Sequence, residues 1–190
     1  MKIREKLKIA PDKEVILYVP TYREYLMNEK KENYLAPPVD FAKWQALLGQ
    51  EYVLLVRAHY AVSAALELTE NEFVRDVSGY EMLNDLYVIA DILISDYSSV
   101  FVDGAICAVP MLCFAYDLQE YESKRGLYLD LAQTLPCAVS KTEEALLHEI
   151  LHMDREKAAE QTRQFAKKYA PHAGNATDAV VTEMKRRLGL

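Results

Sequence analysis

Short apolar runs rich in branched residues alternate along this chain with stretches of helical spacing. Val15-Ile-Leu-Tyr-Val19, Tyr52-Val-Leu-Leu-Val56, Ile92-Leu-Ile94 and Met111-Leu-Cys-Phe114 are too short for buried helices and read as strands. Their lack of polar alternation is what a parallel sheet covered on both faces requires. Between and after them, apolar spacing predicts helices over Phe41 to Leu48, closed by Gly49, over Tyr80 to Ala90, and over Val100 to Ala108, closed by Pro110. Phe73 to Arg75 and Cys137 to Val139 read as weaker strands, and three further helices are predicted at Thr142 to Met153, Glu156 to Tyr169 and Ala176 to Leu188. This alternation predicts an α/β fold: a Rossmann-like doubly wound parallel sheet of about six strands with extra C-terminal helices. The polar segment from Tyr22 to Val39, ending in Pro37-Pro38, reads as a long surface loop, a length usually associated with mobility or function.

Composition narrows the class. A chain of 190 residues, 51% hydrophobic and 27% charged, has the make-up of one globular domain, and no Gly/Pro/Ser-rich linker or internal repeat divides it. Cys107, Cys113 and Cys137 are odd in number, widely spaced and partly set in apolar segments, which suits reduced thiols better than a disulfide framework. The charged opening Met1-Lys-Ile-Arg-Glu-Lys-Leu-Lys lacks the apolar core of a signal peptide, and no apolar run reaches the roughly eighteen residues of a membrane span. A net charge of -7 argues against a general nucleic-acid binder, although backbone N–H groups can hold a phosphate without any net positive charge.

In doubly wound sheets, ligands gather beyond the carboxyl ends of the strands. Those ends carry Pro20-Thr-Tyr-Arg23, Arg57-Ala-His-Tyr60, Asp76-Val-Ser-Gly79, Ser95-Asp-Tyr-Ser-Ser99 and Ala115-Tyr-Asp117. Ser98 and Ser99 stand where a strand turns into a helix, so they read either as ordinary N-caps or as hydroxyl donors to a phosphate on unpaired helix N–H groups. His59 follows a strand directly and reads as a base or donor, or as a loop histidine. Arg23 and Arg57 can fork onto phosphate oxygens, and Asp103, one turn past Ser99, can accept from vicinal ribose hydroxyls. His148-Glu-Ile-Leu-His152 spells a zinc-protease pattern, but Leu147, Ile150 and Leu151 form the apolar stripe, the histidines flank it toward solvent, and no third ligand follows at the expected spacing. It reads as an amphipathic helix, and no metal is expected. Lys185-Arg-Arg187 reads as a basic last helical turn.

Taken in order, Tyr18-Val-Pro-Thr-Tyr-Arg23, Val56-Arg-Ala-His59, Leu93-Ile-Ser-Asp-Tyr-Ser-Ser99 with Asp103, and Tyr121-Glu-Ser-Lys-Arg-Gly-Leu-Tyr128 resemble the CDP-glycerol glycerophosphotransferase family, the teichoic acid polymerases, over residues 14 to 187. The resemblance implies a GT-B fold of two Rossmann-like domains with the active site in the cleft between them. Residues 1–190 would be the single C-terminal nucleotide-binding domain, with an N-terminal acceptor domain absent from this chain and the start at Met1 marking a fragment. It further implies transfer of glycerol phosphate from CDP-glycerol to the terminal hydroxyl of a polyol-phosphate chain, with CMP leaving and no cofactor. Ser98 and Ser99 would hold the diphosphate, Asp103 would reach the ribose, and backbone around Val77 and Ser78 would face the base. His59 would stabilise charge on the leaving group near the reacting phosphate, and Arg23 and Arg125 would meet phosphate oxygens. The family's second histidine lies on the other domain, so this chain alone is expected to bind nucleotide without catalysing transfer.

The expected partners are CDP-glycerol or CDP-ribitol and, through the missing domain, the polyol-phosphate acceptor. The expected location is cytoplasmic, with the parent enzyme at the cytoplasmic face of the membrane. The acidic charge departs from the basic character common among such membrane-working enzymes, so membrane contact would belong to the parent protein. Two other readings remain open: a UDP-sugar-dependent glycosyltransferase or epimerase domain of the same fold, and a non-catalytic nucleotide-binding module.

Overall fold

Six segments, four of them largely apolar, pair side by side, because strands with no polar face can satisfy their backbone only inside a sheet and bury both faces only between helices. The computed structural model describes residues 2–26, 37–59, 66 and 68–189. Strands β1 (Glu14–Tyr18), β2 (Tyr52–Val56), β3 (Val74–Asp76), β4 (Ile92–Ser95), β5 (Met111–Phe114) and β6 (Val139–Ser140) form one sheet in the order β3-β2-β1-β4-β5-β6. Every pairing is parallel, and Leu17 of β1 stands between Leu55 of β2 and Leu93 of β4. The order reverses between β1 and β4, which makes that junction the topological switch point.

Alternate residues of each strand point to opposite faces. Ile16, Tyr18, Leu54 and Val56 pack with Trp44 and Leu48 of α2 (Phe41–Leu48) and with Leu146, Leu147 and Ile150 of α7 (Glu143–His152). On the other face, Val15, Leu17, Val53 and Leu55 meet Leu86, Tyr87 and Ile89 of α3 (Leu83–Ile89). Beside them, Met111 and Cys113 of β5 pack with Phe101 and Ala105 of α4 (Val100–Ile106) and Phe165 of α8 (Arg155–Tyr169). The layers are those of a Rossmann-like doubly wound domain.

Side-chain caps place several helix starts. Asp40 accepts from the N–H groups of Ala42 and Lys43, Thr142 from Ala145, and Asp154 from Lys157, so α8 begins one residue before the sequence expectation. The helix expected from Tyr80 begins only at Leu83, where Met82 is still extended and offers no cap. Strand β6 lies at Val139–Ser140 rather than Cys137–Val139. Three short helices were not predicted: α1 (Lys2–Lys6), α5 (Leu118–Lys124) and α6 (Leu131–Thr134). Within the expected Tyr22–Val39 loop, Glu24–Leu26 forms a 3₁₀ turn and residues 27–36 lie outside the described residues.

The three cysteines are free thiols, and only Cys113 is fully buried; Cys107 is exposed because α4 ends beside it. His148 and His152 both face solvent, with rings 4.2 Å apart and His152 Nδ1 2.8 Å from the His148 carbonyl. Among the described residues no group of three or more His, Cys, Asp or Glu could hold a metal ion, and no helix is long and apolar enough to cross a membrane. The last helix, α9 (Ala176–Leu188), buries no residue.

Candidate functional site at the sheet's carboxyl rim

The carboxyl ends of β1 and β4 are tied together before any functional side chain is reached. Val19 N–H donates to the Ile94 carbonyl at 2.8 Å, and Ser95 Oγ donates to the Val19 carbonyl at 2.7 Å. Beyond them Asp96 accepts from the Thr21 N–H at 2.9 Å and from the Tyr97 N–H at 2.8 Å. A carboxylate bonded in this way fixes the turn that leads through Ser98 and Ser99 into α4.

Arg23 completes the junction and corrects the expectation attached to it. Its guanidinium is 1% exposed, Nη1 donates to Asp96 at 2.7 Å, and Nε and Nη2 fork onto Asp117 at 2.9 and 2.8 Å. The Tyr97 hydroxyl donates to the same Asp117 at 2.7 Å, and Tyr97 stacks on Tyr121 with centroids 3.8 Å apart. Burial opposes the Arg23 charge, but the Asp117 hydrogen bonds and the Asp96 charge outweigh it and hold the group above its ordinary range. Burial likewise pushes the Asp117 carboxyl up, while Arg23 and the Tyr97 hydroxyl hold it below its usual value. Arg23 therefore does not meet phosphate oxygens here, because its donors are turned inward onto two carboxylates.

Ser98, Ser99 and Arg125 come together. All three line a cleft of about 670 Å³, walled further by Val102, Tyr128 and Phe165, within the roughly 300–1,000 Å³ usual for small-molecule sites. Ser99 stands at the N-cap position without a side-chain cap bond, and Ser98 Oγ accepts from the Val100 N–H at a long 3.3 Å. The pair thus does little of the capping that the ordinary reading assigns to it.

The other expected residues stand on the β2–β3 side of α4. Asp103 is exposed and does not line that cleft. Burial and then the Asp103 charge raise the Tyr87 phenol above its ordinary value while Arg57 pulls it back, so both charges act on that residue of α3. His59 is exposed just past β2, and its ring lies against Tyr22 with centroids 4.8 Å apart and a 31° tilt.

The expectation for Val77 and Ser78 is narrowed. Val77 is 4% exposed, its N–H donates to Val56 and its carbonyl accepts from Tyr80. The Ser78 N–H donates to Asp76, its hydroxyl accepts from Ala58, and its carbonyl accepts from Arg57. Of the backbone groups there, only second carbonyl lone pairs remain for a base, beside the O–H of Ser78.

Sequence reasoning missed Asp96 and Asp117 as partners of Arg23. The available signal was positional: an acid follows each of two neighbouring strands, and an arginine follows the strand beside them at the switch point.

This architecture defines a Rossmann-like α/β domain, and its candidate site gathers at the switch point. The chain belongs to the CDP-glycerol:poly(glycerophosphate) glycerophosphotransferase family, whose sequence pattern matches residues 1–185. It is 35% identical over 187 residues to the teichoic acid poly(glycerol phosphate) polymerase of Bacillus spizizenii, covering 97% of this chain and 48% of that one. The teichoic acid poly(ribitol-phosphate) polymerase of the same organism is 33% identical over 138 residues, 72% of this chain and 22% of the relative. Among solved structures, the wall teichoic acid polymerase TagF superposes with a TM-score of 0.82 at 30% identity over 98% of this chain and 46% of its own. A histidine-to-asparagine variant of TagF, solved after a 30-minute soak with CDPG, superposes with a TM-score of 0.75 at 32% identity over 98% and 46%. The chain spans about half or less of the length of these relatives.

Proposed function

We propose that this chain is the donor-binding part of a glycerophosphotransferase that moves glycerol phosphate from CDP-glycerol to a teichoic-acid-like polyol-phosphate chain. The observation that carries the reading is the Ser98–Ser99 turn at the β1/β4 switch point, with Arg125 across the same cleft, in a chain of this family. The hydroxyls and N–H groups of Ser98 and Ser99 hold the diphosphate at the start of α4, and Arg125 takes up its negative charge. Asp103 accepts from the ribose hydroxyls on the opposite side of α4, and the base lies toward the loop after β3.

In the transfer step the acceptor hydroxyl attacks the phosphorus that bears glycerol. A new P–O bond forms as the bond to the CMP oxygen breaks, and the hydroxyl proton leaves with a base outside this chain. His59 as imidazolium offsets the charge growing on the departing CMP phosphate. The residues that orient the acceptor belong to the half of the relatives that this chain does not span, so this chain alone binds donor without turnover. The whole enzyme acts at the cytoplasmic face of a membrane, with membrane contact made outside this domain.

Calorimetric titration of the chain with CDP-glycerol, CDP-ribitol and UDP-N-acetylglucosamine tests the reading. A preference for a CDP-alcohol is expected, and Ser98→Ala with Ser99→Ala weakens that binding about tenfold or more while leaving the melting temperature in place. Preference for the UDP-sugar, or unchanged affinity in the double variant, contradicts it.

A further inference from the structure

The segment Thr21–Arg23 touches both halves of the candidate site. On the β4 side, the Thr21 N–H and Arg23 Nη1 both donate to Asp96, at 2.9 and 2.7 Å. Asp96 opens the turn that presents Ser98 and Ser99, whose hydroxyls do little to fix it, since Ser99 makes no cap bond and the Ser98 bond is long. Arg23 also forks onto Asp117 beyond β5, so one rigid guanidinium braces the ends of β1, β4 and β5 together. The guanidinium further lies over the rings of Tyr97, Tyr116 and Tyr121 at 5.0, 5.1 and 5.7 Å. On the β2 side, the neighbouring residue Tyr22 sets its ring against His59 at 4.8 Å.

A planar fork held at 1% exposure on two carboxylates has few alternative geometries. We propose that Tyr22 and Arg23 form a positioning pair that sets the placement of the Ser98–Ser99 turn and of the His59 ring relative to each other. Arg23 does this from inside, through Asp96, and touches no ligand. Tyr22, locked at its position by the braced backbone on either side, orients the imidazole. The inference rests on the donor-site reading of this rim, but its geometric content can be read without any nucleotide.

Nuclear magnetic resonance of the labelled chain reads both ends of the brace. Arg23→Lys keeps the charge and loses the fork, so the Ser98, Ser99 and Val100 amide resonances and the His59 ring protons are expected to move together. CDP-glycerol affinity is expected to fall about tenfold or more. Tyr22→Leu is expected to move only the His59 ring protons, by removing the ring current, and Tyr22→Phe to restore them. Arg155→Lys, which loosens an ion pair with Glu14 at the amino end of β1, is the control and leaves both sets in place.

If Arg23→Lys does not fold, the charge-balanced pair Arg23→Met with Asp117→Asn takes its place with the same expected displacement. A folded Arg23 variant whose Ser98, Ser99 and His59 resonances are unmoved overturns the inference. So does a Tyr22→Leu variant with unmoved His59 protons. Failure of the unaltered chain to bind CDP-glycerol contradicts the donor reading instead, and the resonances alone then decide the positioning role.

Discussion

Arg23 shows how a residue's role depends on partners far away in the chain. As a sequence feature it is an arginine after a strand, and such a residue suits phosphate. Its partners Asp96 and Asp117 stand 73 and 94 residues further on, and no local pattern announces them. Removing the arginine leaves two carboxylates without their counter-charge, and breaking a buried pair in this way typically costs about 3–5 kcal/mol. Arg23→Met is therefore expected to lose stability in that range in a urea melt. Asp117 carries a pH dependence of known sign. Its native carboxyl is held below its ordinary value, so its contribution is present above the unfolded value and is lost as the pH falls through the native one. Unfolding free energy should decline on acidification below about pH 4, and Asp117→Asn should remove part of that slope. An unchanged slope in the variant would place the acid sensitivity elsewhere.

At the scale of elements, β1, β2, β4 and β5 were legible because a largely apolar run buried on both faces admits few other readings, whereas β3 and β6, with Arg75, Asp76 and Ser140 among their few residues, gave a weaker signal and shifted bounds. The longer helices were legible for the same kind of reason: α7, α8 and α9 repeat their apolar spacing over two or more turns. The short helices α1, α5 and α6 bury at most one residue each, so no apolar stripe announces them, whereas α3 and α4, equally short, bury three and four. The start of α3 was misplaced because Tyr80 continues the apolar spacing while its N–H is spent on the Val77 carbonyl. One element depends on a single missing atom: a Cβ at Gly104 of α4 would stand 2.5 Å from Leu93 Cδ2, inside the buried contact with β4. Gly104→Ala should push α4 off the sheet and cost about 1–3 kcal/mol by overpacking. Because α4 carries Ser98 and Ser99 at its start, nucleotide affinity should fall with it. Thermal melts and titrations on that variant check both effects.

For the whole molecule, the strand order could not be read from any one segment, yet it decides what becomes a site. Placing β4 beside β1 brings Thr21 and Arg23 against Asp96, and placing β3 at the far edge puts Ser78 against Arg57. Ser98, Ser99 and Arg125 were legible as a group from the resemblance and share one cleft. The division of the rim by α4, with Asp103 on one side and the cleft on the other, was not legible, because one helical turn was taken to carry Ser99 and Asp103 toward the same ligand. That division suits an extended ligand laid across the helix start, its phosphates at the turn and its nucleoside toward Asp103. The direct measurement is a crystal structure of this chain soaked with CDP-glycerol. The account predicts diphosphate oxygens within about 3 Å of the hydroxyls or N–H groups of Ser98 and Ser99, with the ribose toward Asp103. Nucleotide density that avoids this turn would contradict it.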